Sequence, residues 1–152
     1  FKDSENMVEE INWLPDWGQS RISAMMDERP EWCIARQRTW CVPIPLAIHN
    51  ETGEPHKDSL KIIKKIADKI ETEGVEAWFS EDLENILESD HDQYEKVTDI
   101  LDVWFDSGVT HNCVLKDNEN LDYPADLYLE GSDQHRGWFQ SSLLSSIAIS
   151  QN

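Results

Sequence analysis

The junction between residues 125–131 and 136–150 constrains the fold of this chain more than any other feature. Residues 125–131 (ADLYLEG) predict a short strand that ends at Gly131, and residues 136–150 predict a helix that Ser132 and Asp133 can begin. A strand, a tight glycine turn and a helix form one half of a βαβ unit. We therefore predict an α/β fold with parallel strands and flanking helices, in which ligands lie at the carboxyl ends of the strands.

Apolar spacing predicts helices and strands elsewhere in the chain. The clearest helix covers residues 58–72, where apolar residues recur every three or four positions and Gly74 suits the position after the end. Pro43 and Pro45 predict an edge or irregular segment within residues 31–50. The remaining predicted elements are extended segments over 32–34 and 44–49, strands over 7–14 and 100–108, a helix over 19–29 that Pro30 ends, and a short helix over 81–87.

The charge of the chain opposes a polyanionic partner. Its 31 acidic and 13 basic residues give a net charge of −18, whereas proteins bind phosphate backbones mainly through Lys and Arg. The lysines of the 58–72 helix are therefore predicted to form a solvated face, with contact to nucleic acid as the weaker alternative. Those lysines are Lys61, Lys64, Lys65 and Lys69.

The cysteines and the apolar runs indicate the compartment. The chain has three cysteines, none in a Cys-x-x-Cys pair, which is typical of a reducing compartment. No apolar run approaches the roughly 20 residues that span a bilayer, so we expect a cytoplasmic protein that contacts no membrane. Cys33, Cys41 and His49 lack zinc-site spacing, and we expect no metal site. His111 and Cys113 lack a third partner for nucleophilic catalysis.

Residues 128–139 concentrate polar side chains at the predicted strand-to-helix junction. Gly131 lets the backbone come close to a ligand. Glu130 can accept hydrogen bonds from ribose hydroxyls, as acidic residues at strand ends do in nucleotide-binding folds. Asp133 can hold an ammonium group, and Gln134 carries both donors and acceptors.

Taken alone, each of the three segments with the most candidate binding residues could also have a purely structural role. In residues 128–139, Ser132 and Asp133 could simply cap the helix while Trp138 packs. Residues 101–108 could be a buried strand with a polar turn. In residues 32–40, two arginines flank a glutamine between aromatic residues, which fits a hydrogen-bonded brace as well as an anion contact.

Together the three segments resemble the isoleucine-specific class I aminoacyl-tRNA synthetases. In chain order they read WCIARQRTW over 32–40, DVWFDSG over 102–108 and EGSDQHRGWF over 130–139. The third pattern is highly specific, and the resemblance covers nearly the whole chain. Residues 13–19 also resemble the segment by which this family returns from its inserted editing domain.

The resemblance implies a class I synthetase core and its substrates. The fold would be part of the Rossmann-like nucleotide-binding domain. The parent enzyme would join isoleucine to ATP as an adenylate and transfer it to tRNA(Ile), with Mg²⁺ accompanying ATP and a single chain as the active form. By matching positions, Trp104 and Trp138 would flank the isoleucine side chain. The aminoacyl-adenylate would contact Glu130, Gly131, Asp133 and Gln134.

The resemblance also implies a division of the chain. Residues 1–30 would form the return from the editing insertion, and residues 31–152 part of the catalytic domain, with an acidic helical insertion at about 51–99. Both ends look cut, so we expect an internal fragment. The family's two ATP-handling motifs, His-Ile-Gly-His and Lys-Met-Ser-Lys-Ser, are absent from the sequence. We therefore expect no catalytic residue here and no activity from the fragment alone.

Two alternatives and two departures from the family pattern accompany this interpretation. The chain could belong to a valine or leucine enzyme, although Trp138 favours isoleucine, or to a non-catalytic binding module derived from a synthetase. Cys41 stands where the family has Gly, which would strain the backbone if the position needs a positive φ. Ala35 replaces the usual Ser, a milder change.

Overall fold

The computed structural model describes residues 2–28, 31–87 and 89–150. Arg29 and Pro30, the predicted end of the first long helix, lie outside the described residues. The chain divides into two compact units: Phe1–Ile34 with Asp102–Asn152, and Ala35–Leu101. We call them unit 1 and unit 2 and treat each by itself.

Helices dominate unit 1 and a helix–strand mixture forms unit 2. Unit 1 contains α1 (Lys2–Glu10), α2 (Trp17–Glu28), α6 (Val103–Gly108), a π-helical turn (His111–Leu115), a 3₁₀ turn (Ser132–His135) and α7 (Trp138–Ser150). Unit 2 contains β1 (Ala35–Arg36), β2 (Ala47–His49), α3 (Ser59–Glu73), α4 (Glu76–Ser80), α5 (Leu83–Ile86), a 3₁₀ turn (His91–Gln93), β3 (Tyr94–Lys96) and β4 (Ile100–Leu101).

The core of unit 1 packs α1 and α2 against α7. Val8, Ile22 and Met26 are its buried centre, and Phe139 and Leu143 of α7 pack against them. Burying such side chains stabilises by roughly 1.5–3 kcal/mol each. This cluster ties the amino-terminal helices to the helix that carries the most specific sequence pattern.

The core of unit 2 forms beneath α3. Ile62 and Ile66 lie one turn apart on the apolar face of α3 and pack on Trp78, whose side chain is fully buried. Gly74 follows the helix with φ 85°, and its N–H donates to the Ile70 carbonyl. The predicted amphipathic helix and its glycine end are therefore confirmed.

The described strands form two small antiparallel sheets, both in unit 2. β1 pairs with β4, and β2 pairs with β3. The predicted parallel strands do not occur among the residues that the structure describes. Residues 125–131 are irregular rather than a strand, because a strand requires a neighbour that takes up its N–H and C=O groups, and no strand among the described residues pairs with this segment.

Two further strand predictions are wrong for identifiable reasons. The first half of the 7–14 segment belongs to helix α1, in which Ser4 and Val8 are buried together one turn apart, and the second half is irregular. The 100–108 segment is extended only at Ile100 and Leu101. There Asp102 takes the N-cap position of α6 and accepts a hydrogen bond from the Trp104 N–H, a helix-start signal that outweighs the apolar run.

The other helix predictions are confirmed within a few residues. The 19–29 prediction corresponds to α2, which ends at Glu28 among the described residues. The 81–87 prediction corresponds to α5. The 136–150 prediction corresponds to α7, preceded by the 3₁₀ turn over Ser132–His135.

Candidate functional site

Gly137 brings two of the predicted site residues together at the start of α7. A methyl carbon added at Gly137 would lie 2.9 Å from Trp104 Cη2 and 2.5 Å from Gln134 Oε1. Only a residue without a side chain allows this approach. Gln134 Oε1 also accepts the backbone N–H of Trp138, at 3.5 Å. An aromatic ring and an amide thus converge at the helix start.

Trp104 and Trp138 differ in exposure. Trp104 is 39% exposed and presents part of its ring to solvent, whereas Trp138 is 8% exposed. Tyr128 packs on the Trp138 ring with centroids 4.4 Å apart, and the Trp138 Nε1 donates to the Ser107 carbonyl at 3.1 Å. Trp104 is therefore the more accessible ring, and Trp138 is held in place by its contacts.

Asp133 and Gln134 form a polar pair beside this aromatic region. Gln134 Nε2 donates to Asp133 Oδ2 at 2.9 Å. The backbone of Gly131 lies so close to Asp133 that a side chain at position 131 would collide with the carboxylate. Asp133 is exposed, so its carboxylate remains accessible beside the Gln134 amide.

Glu130 and Gly131 line a separate apolar cavity of about 430 Å³ within unit 1. Its aromatic wall includes Trp13, Trp17 and Phe139, together with His135. Trp104 and Trp138 do not line it. Five of the six predicted residues therefore lie within residues 130–138 and the sixth, Trp104, lies on α6, and this cavity is lined by only two of them, Glu130 and Gly131.

Asp102 supports the site and was missed as a functional candidate. Its carboxylate is buried, caps α6 at the Trp104 N–H and accepts the Trp32 indole N–H at 3.0 Å. Burial raises the pKa of the neighbouring Asp106 carboxyl above its usual range, and the charge of Asp102 raises it further. An aspartate directly before a helix was the available signal.

A comparison with known families now identifies the chain. The family described as tRNA synthetases class I (I, L, M and V) matches residues 2–152. This chain belongs to that family.

Curated relatives from several bacteria are similar to the chain along nearly its full length. An isoleucine–tRNA ligase of Methylococcus capsulatus is 60% identical over 143 residues, 94% of this chain and 15% of the relative. Ligases of the same name from Saccharophagus degradans and Coxiella burnetii are 58% and 60% identical over 98% and 93% of the chain. The chain spans about 15–16% of the length of these relatives.

The synthetase pattern at positions 35–41 lies in unit 2, where its departures can be assessed. Cys41 has φ 145°, a conformation that side chains rarely adopt and that glycine adopts freely. Cys41 therefore has the positive φ that would strain the backbone at this position. Gln37 Nε2 donates to Asp99 Oδ2 at 2.9 Å, which supports the bracing interpretation of this segment.

The described residues contain neither a candidate metal cluster nor a helix that could span a membrane. Within residues 2–28, 31–87 and 89–150, no group of three or more His, Cys, Asp or Glu side chains could hold a metal ion. In the same described ranges, no helix is long and apolar enough to cross a membrane.

Proposed function

We propose that the chain is part of an isoleucine–tRNA ligase that activates isoleucine with ATP and transfers it to tRNA(Ile). One observation carries the proposal. Trp104 and Gln134 converge on Gly137, the residue directly before the anchored Trp138, within the patterns that resemble the isoleucine-specific members. The names of the similar relatives agree with this assignment.

The proposed pocket combines aromatic walls with adjacent polar groups. Trp104 and Trp138 would hold the hydrocarbon side chain of isoleucine. Asp133 and Gln134 would bind the polar atoms of the amino acid or adenylate, while Glu130 and Gly131 would contact the ribose. Small-molecule sites typically combine an apolar surface with a few well-placed polar groups.

Aromatic walls cannot by themselves reject valine efficiently. A missing methylene is worth only about 1–3 kcal/mol, a range that was established on isoleucine enzymes themselves. We therefore propose that the complete enzyme relies on editing. Residues 1–30 would form the return from the editing insertion, residues 31–152 part of the catalytic domain, and residues 51–99 an acidic insertion.

We propose that the irregular segment over 125–131 pairs as a strand in a Rossmann-like sheet completed by the rest of the parent protein. Leu127 and Leu129 are 76% and 86% exposed. Apolar side chains at alternate positions on an unpaired segment favour such a neighbour. ATP would enter with Mg²⁺, which neutralises phosphate charge, and we propose a monomeric enzyme.

The decisive experiment is amino-acid-dependent exchange between pyrophosphate and ATP by the full-length protein. We expect isoleucine to give the highest kcat/KM, valine a lower value and leucine the lowest. Trp104→Ala should raise the KM for isoleucine and leave that for ATP unchanged, because only the amino acid contacts this ring. Preference for valine or leucine would refute the isoleucine assignment, and no exchange with any amino acid would favour a non-catalytic module.

A further inference from the structure

The contact between α6 and α7 is built from small residues and hydrogen bonds. A methyl carbon added at Gly108 would lie 2.9 Å from the backbone carbonyl carbon of Ser141. Ser141 and Ser145 lie one turn apart on α7 and are both buried. The two helices therefore approach closely at the end of α6, and any residue larger than glycine at position 108 would push them apart.

Ser145 holds this contact by a directed chain of hydrogen bonds. Its Oγ donates to the Gly108 carbonyl at 2.9 Å and lies 3.1 Å from the Ser142 carbonyl in its own helix. His111 Nε2 lies 3.3 Å from the same Oγ. Since the single hydroxyl proton points to a carbonyl, Oγ accepts from His111, which places the imidazole proton on Nε2. Burial lowers the pKa of His111 and favours this neutral form.

The adjacent carbonyl anchors the indole of Trp138. Ser107 and Gly108 are consecutive, and the Ser107 carbonyl accepts from Trp138 Nε1 at 3.1 Å and from Thr110 Oγ1 at 2.5 Å. A shift of the end of α6 relative to α7 would move both carbonyls together. Trp104 lies on α6 less than one turn before Ser107, so the same shift would move its ring relative to Trp138.

We propose that His111 and Ser145 are positioning residues that fix the spacing between Trp104 and Trp138, and thereby set selectivity for isoleucine over valine. Neither residue contacts the substrate in this proposal. They hold the Ser107–Gly108 carbonyl pair against α7. The inference rests on the proposed function, since it requires the two tryptophans to form the amino-acid pocket. A pocket of fixed width gains the extra methyl contacts of isoleucine, and a loosened pocket loses them.

The test compares Ser145→Ala with His111→Phe in the full-length enzyme, using pyrophosphate exchange with isoleucine and with valine. His111→Phe keeps the ring and removes the donor, and His111→Gln keeps a neutral donor. Ser146→Ala is the matched control, because it makes the same change on the same helix at a residue outside this chain of hydrogen bonds. Active-site titration corrects each rate for the fraction of functional enzyme.

We expect Ser145→Ala and His111→Phe to raise the KM for isoleucine and to lower isoleucine-over-valine selectivity about two- to tenfold. This range is the net contribution of one hydrogen bond at 1.4 kcal/mol per decade. The KM for ATP should not change, His111→Gln should recover most of the selectivity, and Ser146→Ala should resemble the unmodified enzyme.

Other outcomes overturn the inference in distinguishable ways. A loss of functional fraction with every KM unchanged would show that His111 and Ser145 only stabilise the fold. Equal increases in the KM for isoleucine and ATP would show a general disturbance of the site. An unmodified enzyme that shows no isoleucine preference would refute the proposed function itself, before any variant is compared.

Discussion

Replacing Cys41 with glycine should stabilise the protein around this position. The φ of 145° at Cys41 forces its Cβ into a crowded backbone conformation, which costs about 1–3 kcal/mol. The chain cannot relax easily after this residue. The Val42 carbonyl accepts the Leu101 N–H at 2.8 Å, and Pro43 bridges to Ile100. The strain therefore remains at Cys41, because hydrogen bonds hold the residues that follow it in place.

An opposing term reduces the expected gain from Cys41→Gly. Glycine gives the unfolded chain more conformational freedom, which costs about 0.4–1 kcal/mol. The half-buried thiol also loses some packing. Subtraction of the entropy cost from the strain leaves about 0–2.6 kcal/mol, and we expect a net gain of about 1 kcal/mol once the lost packing is included. At 1.4 kcal/mol per decade, this gain corresponds to local hydrogen exchange that is about fivefold slower.

The matched control is Cys41→Ala, which removes the thiol and keeps the Cβ. It should give no gain, because the strain arises from the Cβ rather than from sulfur. Hydrogen-exchange mass spectrometry of the full-length protein, read on peptides that cover residues 35–49, measures both variants in place. Equal protection in the glycine and alanine variants, or less protection in the glycine variant, would refute the strain argument.

Four further predictions concern activity, the polar junction and unit 2. The purified 152-residue chain should show no isoleucine-dependent pyrophosphate exchange, since it lacks both ATP-handling motifs, and measurable exchange would disprove this. Asp133→Asn should leave the melting temperature of the full-length enzyme unchanged but lower kcat/KM for isoleucine activation about ten- to a hundredfold, the range for a charge-assisted hydrogen bond. Unchanged kinetics would show that Asp133 does not belong to the site. Lys96→Met should weaken the hydrogen-exchange protection of α4 by about 1.5–3 kcal/mol, because the Lys96 ammonium donates to the Trp78, Phe79 and Glu81 carbonyls. Unchanged protection would show that water replaces the ammonium group at these carbonyls. The hydrogen bond from Lys69 lowers the pKa of Glu81 below its ordinary 4.5. The contribution of the ionised Glu81 to stability is therefore present above pH 4.5 and should disappear as the pH falls through the folded-state pKa. Glu81→Gln should flatten that part of the acid denaturation curve.

The lysine face of α3 shows where the sequence left two interpretations open and the structure supports one. Lys61 pairs with Asp58 at 2.7 Å, Lys65 donates to the Asn85 carbonyl at 2.9 Å, and Lys69 pairs with Glu81. These contacts bind α3 to its own neighbourhood in unit 2. They favour the structural interpretation for Lys61, Lys65 and Lys69 over contact with nucleic acid, since each of these three lysines already has a partner within the unit.

The sequence by itself determined the family, the long helices and the position at risk of strain. Local periodicity sufficed for α3 and α7, because a helix makes its backbone hydrogen bonds within its own segment. The resemblance, in which the family has Gly where this chain has Cys41, likewise indicated a backbone constraint, and Cys41 does have a positive φ. These features depend on residues close together in the chain, so one sequence is enough to find them.

Tertiary structure alone decided which extended segments become strands and which residues support the site. Residues 125–131 alternate as a strand does but remain irregular, because pairing depends on a neighbour that sequence periodicity cannot supply. Likewise, no local pattern places Ser145 against the Gly108 carbonyl or Trp138 against Ser107. These contacts join residues more than 30 positions apart, and they exist only because α6 and α7 pack together.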